Sequence, residues 1–194
     1  QAAIASKNIR AFFALDISEE IRAGLDRISD RLRRAEPRMK TVRPENLHVS
    51  LVFLGDVTPD QVADLRVAMD AIGADFAPFS LTLDGLGVFG NPRSPRVLWA
   101  GVSCPDMLLR LYRETADAAS MCGVQTDSRP YRPHITLSRF PRRGNFSRLA
   151  QRVEAESPGV AGRFDVRRLI LFRSVLTPQG ARYSLVHEAL FTAG

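Results

Sequence analysis

Two short stretches of this chain repeat one pattern, and the repeat constrains the fold more than any other feature. The first reads Arg43-Pro44-Glu45-Asn46-Leu47-His48-Val49-Ser50-Leu51, and the second Arg132-Pro133-His134-Ile135-Thr136-Leu137. Each places Arg-Pro just upstream of a histidine, followed by a hydroxyl residue and a leucine. On an extended strand, residues i and i+2 share a face while i+1 and i+3 share the other. Val49 and Leu51, like Ile135 and Leu137, are therefore expected to face a core. His48 with Ser50, and His134 with Thr136, are expected on the open side. The chain holds only three histidines, so two of them carrying the same tail point to a paired functional site.

The segments around these motifs read as α+β. Residues 9–17 form an apolar strand, and Ser18 then caps a helix with Glu19 and Glu20 in its first turn and Ile21, Leu25, Ile28 and Leu32 at helical spacing. Pro37 closes that helix. A strand over 47–54 precedes Thr58-Pro59-Asp60-Gln61, a capping box with proline at the first helical position. Strands are expected over 79–88 and 97–102, a helix from 105 to 122 stopped by Gly123, a strand over 135–138 and a short helix over 146–154. Residues 164–175 and 182–191 read as a hairpin across Thr177-Pro178-Gln179-Gly180. Short turns between strands favour mainly antiparallel pairing. No linker or charge run divides the chain, so residues 1–194 are read as a single domain.

Composition narrows the function classes. Lys plus Arg number 27 against 21 Asp plus Glu, a net charge of +6, and all basic residues except Lys7 and Lys40 are arginine. A basic excess suits an anionic partner such as a phosphate ester or RNA. Cys104 and Cys122 form neither a disulfide framework nor zinc spacing, and the expectation is two idle thiols in a reducing compartment. No apolar run is long enough to span a membrane, and the first residues (QAAIASKN) lack the shape of a signal peptide. A cytoplasmic location and no membrane partner are expected.

Paired histidines with paired hydroxyls suit phosphoryl transfer by general acid–base catalysis. One imidazole takes a proton from the attacking oxygen and the other protonates the leaving oxygen, work fitted to a pKa near 6.5. The hydroxyls and an arginine can donate to the non-bridging oxygens as charge builds there. No metal or other cofactor is required, because no third ligand accompanies the histidines. The pattern alone leaves open which histidine is the acid.

These residues resemble the 2H phosphoesterases, named for two H-x-[ST]-x motifs, and within them the bacterial and archaeal RNA 2′,3′-cyclic phosphodiesterases, also called 2′-5′ RNA ligases. The resemblance extends to Arg10-Ala11-Phe12-Phe13-Ala14-Leu15, Phe53-Leu54-Gly55-Asp56-Val57, Gly85-Leu86-Gly87-Val88-Phe89, Pro95-Arg96-Val97-Leu98-Trp99 and Gly180-Ala181-Arg182-Tyr183. Ser50 stands where the family most often has threonine, and Phe172-Arg173-Ser174 where it commonly has glutamate before the serine. The resemblance implies a bilobal fold of two interleaved lobes. They are two pseudo-twofold-related, mainly antiparallel sheets with helices outside and a groove between, with motif 48–51 in one lobe and 134–137 in the other. It implies hydrolysis of an RNA 2′,3′-cyclic phosphate end to a 2′-phosphomonoester, with His48 as proton donor and His134 as proton acceptor. It also implies a phosphate-binding role for Arg139.

Strand alternation sets Arg139 on the wrong face for that role unless a bulge or strand end turns it inward. Phe53 shares the parity of Leu51, which favours the core, with base stacking as the alternative. Tyr183 is a candidate groove residue, and Arg132 a candidate phosphate contact. Arg129, Arg142, Arg143 and Arg148 are loop arginines able to guide an RNA backbone. His187 lacks a hydroxyl partner and is read as structural. The expected partners are RNA ends or nucleotides bearing a 2′,3′-cyclic phosphate, bound by a monomer. Ligation through a 2′-5′ linkage at the same site, or nucleotide binding with vestigial catalysis, are the alternatives. Turnover of a cyclic phosphate is expected to survive exhaustive chelation by EDTA; loss of activity restored by one divalent ion would overturn the metal-free mechanism.

Overall fold

The computed structural model describes residues 7–91, 94–126, 129–140, 146–178 and 180–193. The described residues form nine strands: β1 (Ile9–Leu15), β2 (Lys40–Thr41), β3 (Val49–Val57), β4 (Phe79–Asn91), β5 (Ser94–Val102), β6 (His134–Arg139), β7 (Arg163–Val166), β8 (Arg168–Thr177) and β9 (Gly180–Leu190). Four helices accompany them: α1 (Glu19–Ala35), α2 (Pro59–Asp75), α3 (Asp106–Met121) and α4 (Ser147–Glu156). The local signals account for their ends. The Ser18 side chain accepts from the Ile21 N–H, and Thr58 and Gln61 close the capping box in both directions. Gly123 adopts φ +73°, a left-handed conformation that ends α3.

The strands follow the order β7-β4-β5-β6-β3-β1-β8-β9, with β2 added to β6, and every pairing is antiparallel. The sheet curls into a half-barrel. The two expected sheets are its halves, β7-β4-β5-β6 and β3-β1-β8-β9. Between them β3 and β6 pair at one position, Val49 with Ile135. Two of the helices, α1 and α3, cross over this seam. α1 follows β1 but packs against β6 and α4, whereas α3 follows β5 but packs against β3 and α2. Phe13, Leu25, Leu32, Leu65, Met69, Leu98, Leu108 and Leu111 fill the layer between sheet and helices.

Residues 164–175 are not one strand. Residues Arg163–Val166 pair with β4, and the chain then leaves that half at Arg167 to enter β8 between β1 and β9. The sequence does not mark this crossing, because Phe164 and Val166 on one side of Arg167 and Leu169 and Leu171 on the other are equally buried, though in different halves of the sheet.

Gly87 on β4 lies under Trp99 of β5, its cross-strand partner. A Cβ at Gly87 would fall 2.2 Å from the indole ring, so only glycine lets Trp99 lie flat on the sheet. Gly87→Ala is expected to cost about 1–3 kcal/mol through overpacking, read as a lower urea midpoint with an unchanged m-value. A midpoint equal to that of the parent chain would show that Trp99 can move aside freely.

Candidate active site

The Val49–Ile135 pairing decides the geometry of the two motifs. Both residues are fully buried, so their sequence neighbours turn to the opposite, open face. An antiparallel register then sets Ser50 across from His134 and His48 across from Thr136. Four side chains from two distant stretches thus share one patch on the open face of the sheet.

The two histidines are held alike. His48 Nδ1 lies 2.7 Å from the Asn46 carbonyl, and His134 Nδ1 lies 2.7 Å from the Arg132 carbonyl. A carbonyl only accepts, so each Nδ1 carries the proton and each neutral ring presents Nε2 as a base. The Ser50 hydroxyl, 2.8 Å from His48 Nε2, therefore donates to it. The Tyr131 hydroxyl donates to the Ser50 carbonyl at 3.1 Å, while its ring stacks on Tyr112 at 4.1 Å. That bond ties the segment leading to His134 onto the strand that carries Ser50.

Aromatic rings wall both imidazoles. Phe12 lies 5.0 Å from His48, Tyr183 5.4 Å away and edge-on, and Phe172 6.3 Å away. Phe89 stands edge-on to His134 at 4.9 Å, with Trp99 at 6.2 Å. Phe12, Phe89, Trp99 and Phe172 did not emerge as site residues from the sequence, where an aromatic in an apolar strand is indistinguishable from core. Burial among these rings lowers the His48 pKa to about 4 against the opposing pull of the Asn46 carbonyl. The nearby charges of His134, Arg139 and Arg22 lower it further. His134 is lowered too, by burial first and then by Arg139, with the Arg132 carbonyl opposing.

Two bulges correct simple alternation. In β6, Thr136 pairs with Trp99 but Ser138 pairs with Leu98, so Leu137 and Ser138 both turn inward and are fully buried. Arg139 then returns to the face of Thr136, exposed, where its charge reaches both histidines and Tyr183. In β3, Ser50 pairs with Ala14 and Phe53 with Phe12, so Leu51 and Val52 both turn into the core. Phe53, expected in the core by parity, is instead 56% exposed on the open face, 5.8 Å from Phe12.

Tyr183 is half-buried beside His48 and Phe12. Arg132 contributes its carbonyl, while the residue itself is exposed. Arg129 is exposed ahead of β6, and Arg148 lies on α4 in the outer helix layer. Arg142 and Arg143 lie outside the described residues. His187 bonds Asp70 Oδ1 at 2.7 Å and joins β9 to α2, away from the motifs. Cys104 and Cys122 are free thiols. Among the described residues, no group of His, Cys, Asp and Glu is arranged to hold a metal ion, and no helix is long and apolar enough to cross a membrane.

The sequence model of the LigT-like phosphoesterases matches this chain twice, over residues 15–99 and 102–183. The chain belongs to the LigT-like phosphoesterase family. The two matches each take in one histidine motif, as the near-symmetric halves of the sheet suggest. Among relatives of the family, an RNA 2′,3′-cyclic phosphodiesterase of Methanothermobacter thermautotrophicus is 35% identical over 176 residues, covering 91% of this chain and 95% of that protein. One of Thermotoga maritima is 31% identical over 189 residues, covering 96% and 97%. Among solved structures, Escherichia coli LigT complexed with 3′-AMP superposes with a TM-score of 0.74 at 27% identity, over 96% of this chain and all of that one. A Thermus thermophilus protein, TT0787, gives 0.77 at 26% identity, over 94% and 98%.

The histidine environment predicts a pH dependence of stability. In the unfolded chain His48 titrates near 6.5, whereas folding lowers it to about 4. Between those values the unfolded state binds more protons, so stability falls as pH drops from about 6.5 toward 4. His134 contributes in the same direction. His48→Gln should flatten this slope in urea unfolding measured across that range. An unchanged slope would mean that His48 is solvated in the folded protein.

Proposed function

We propose that this chain hydrolyses 2′,3′-cyclic phosphate ends of RNA to 2′-phosphomonoesters, with His48 and His134 as the acid–base pair. The observation that carries this reading is the repeated tautomer lock: both Nδ1 atoms are occupied by carbonyls two residues upstream, and Nε2 is the working nitrogen of each ring. The relatives that bear the name RNA 2′,3′-cyclic phosphodiesterase match along nearly the whole chain, which supports the substrate class. In this mechanism His134 Nε2 takes a proton from water as the water oxygen attacks phosphorus. The bond from phosphorus to the 3′ oxygen breaks, and His48 delivers its proton to that oxygen. The 2′ ester remains. Ser50, Thr136 and Arg139 donate to the non-bridging oxygens, and Phe53, Tyr183 and Arg132 are further candidate contacts to the nucleotide.

His48 must be protonated to act as donor, yet in the empty site its pKa is depressed to about 4. A phosphodiester anion set among His134, Arg139 and His48 reverses part of that depression, because its negative charge favours a protonated ring beside it. Substrate binding therefore charges the acid. Ser50, released from Nε2 when the ring takes a proton, is free to turn to phosphate. The same groups run backwards would join ends through a 2′-5′ linkage. Both motifs lie within one chain, so a monomer can assemble the site, and free thiols suit the cytoplasm.

His48→Ala and His134→Ala are each expected to lower turnover of a 2′,3′-cyclic nucleotide by roughly 10²–10⁴-fold, with the fold checked by circular dichroism. Near-normal turnover in either folded variant removes that histidine from the mechanism.

A further inference from the structure

The carbonyl that holds His48 belongs to a tight turn, Pro44–Asn46, whose shape is gripped from α1. Arg22, in the first turns of α1, has a side chain only 13% exposed. Its Nη1 donates to the Pro44 carbonyl at 2.6 Å and to the Leu47 carbonyl at 3.1 Å. These two carbonyls bracket Asn46, whose own carbonyl accepts the His48 Nδ1–H. The rest of the guanidinium is anchored as well: Nη2 donates to Asp16 Oδ1 at 2.9 Å, and Nε to Glu19 Oε1 at 3.0 Å. Asp16 is itself fixed, since its Oδ2 accepts from Arg168 Nη2 at 2.8 Å and Arg168 Nη1 reaches Glu188 Oε2 at 2.8 Å. On the far side, Asn46 Nδ2 donates to the Ala181 carbonyl at 2.8 Å, tying the turn to the strand that carries Tyr183.

We propose that Arg22 is a positioning residue for His48, fixing the tautomer and aim of its ring through the Pro44–Leu47 turn. A planar guanidinium offers donors in a fixed fork and can hold two carbonyls and a carboxylate at once, which a lysine ammonium on a flexible stem does not reproduce. With the turn clamped, the Asn46 carbonyl stays in line with Nδ1, and Nε2 is the nitrogen presented to the groove. Without the clamp, the carbonyl can rotate away and the ring loses its single orientation. The kinetic arm of the test rests on the two-histidine reading above, whereas the spectroscopic arm does not.

The test uses the full chain with ¹⁵N-labelled histidine, as Arg22→Gln and Arg22→Lys, with adenosine 2′,3′-cyclic phosphate as the probe. In both variants the His48 Nδ1–H resonance is expected to broaden or vanish while that of His134 stays in place. The kcat should fall by about 10²-fold, as expected when a catalytic group is misplaced by about an ångström, with KM little changed. The His48 titration midpoint should fall in Arg22→Lys, which keeps the cation but frees the Asn46 carbonyl that holds the midpoint up. An unchanged His48 resonance and kcat in Arg22→Gln overturn the proposal, as do equal disturbances of His48 and His134. If Arg22→Gln does not fold, Arg22→Lys decides alone, and an unchanged resonance there is equally fatal. A parent chain that leaves the probe intact would sink the functional reading, while the His48 resonance would still judge Arg22.

Discussion

The antiparallel contact between Val49 and Ile135 is the constraint on which the rest of the molecule depends. It seats the two halves of the sheet against each other and turns four polar side chains to one face. A backbone hydrogen bond contributes only about 0.5–1.5 kcal/mol net, so this junction does not hold itself together. The crossed helices do that work. α1 leaves one half and packs over β6 of the other, and α3 makes the reciprocal crossing over β3. Pulling the halves apart would expose the apolar faces of both helices to water.

A second tension runs through the site between desolvation and charge. Aromatic walls exclude water, which strengthens every hydrogen bond to a phosphate but also disfavours a protonated imidazole. At His48 burial wins over the carbonyl that favours the charged ring, giving a pKa of about 4. A unit negative charge about 4 Å away is worth roughly 4 kcal/mol at an effective dielectric constant near 20. Since one pKa unit corresponds to about 1.36 kcal/mol, such an anion offsets a substantial part of the lowering that burial imposes. Under the proposed mechanism, such a shift lets His48 hold a proton while phosphate is bound and release it afterwards.

Much of this was legible in the amino acids because the signals were local. Ser18, Thr58 with Gln61, and Gly123 announce helix ends through bonds to residues one to four positions away. The motif pattern placed His48, Ser50, His134 and Thr136 on open strand faces through alternation alone. Alternation failed where a bulge inserted one residue, which is why Phe53 and Arg139 lie opposite to their simple parity. The crossing at Arg167 was equally silent, since an apolar residue carries no mark of which half of a sheet will bury it.

What the amino acids determined by themselves was the chemistry: two imidazoles, each with a hydroxyl two residues on, in a basic chain with an α+β pattern. Those are properties of short segments, set by strand alternation and by side-chain pKa. The tertiary structure decided everything that requires two segments to meet. It made β3 and β6 neighbours, brought Phe12, Phe89, Trp99, Phe172 and Tyr183 around the rings, and clamped the turn before His48 with Arg22 from a helix. Register, bulges and desolvation arise from which surfaces bury each other, and no single segment contains that information.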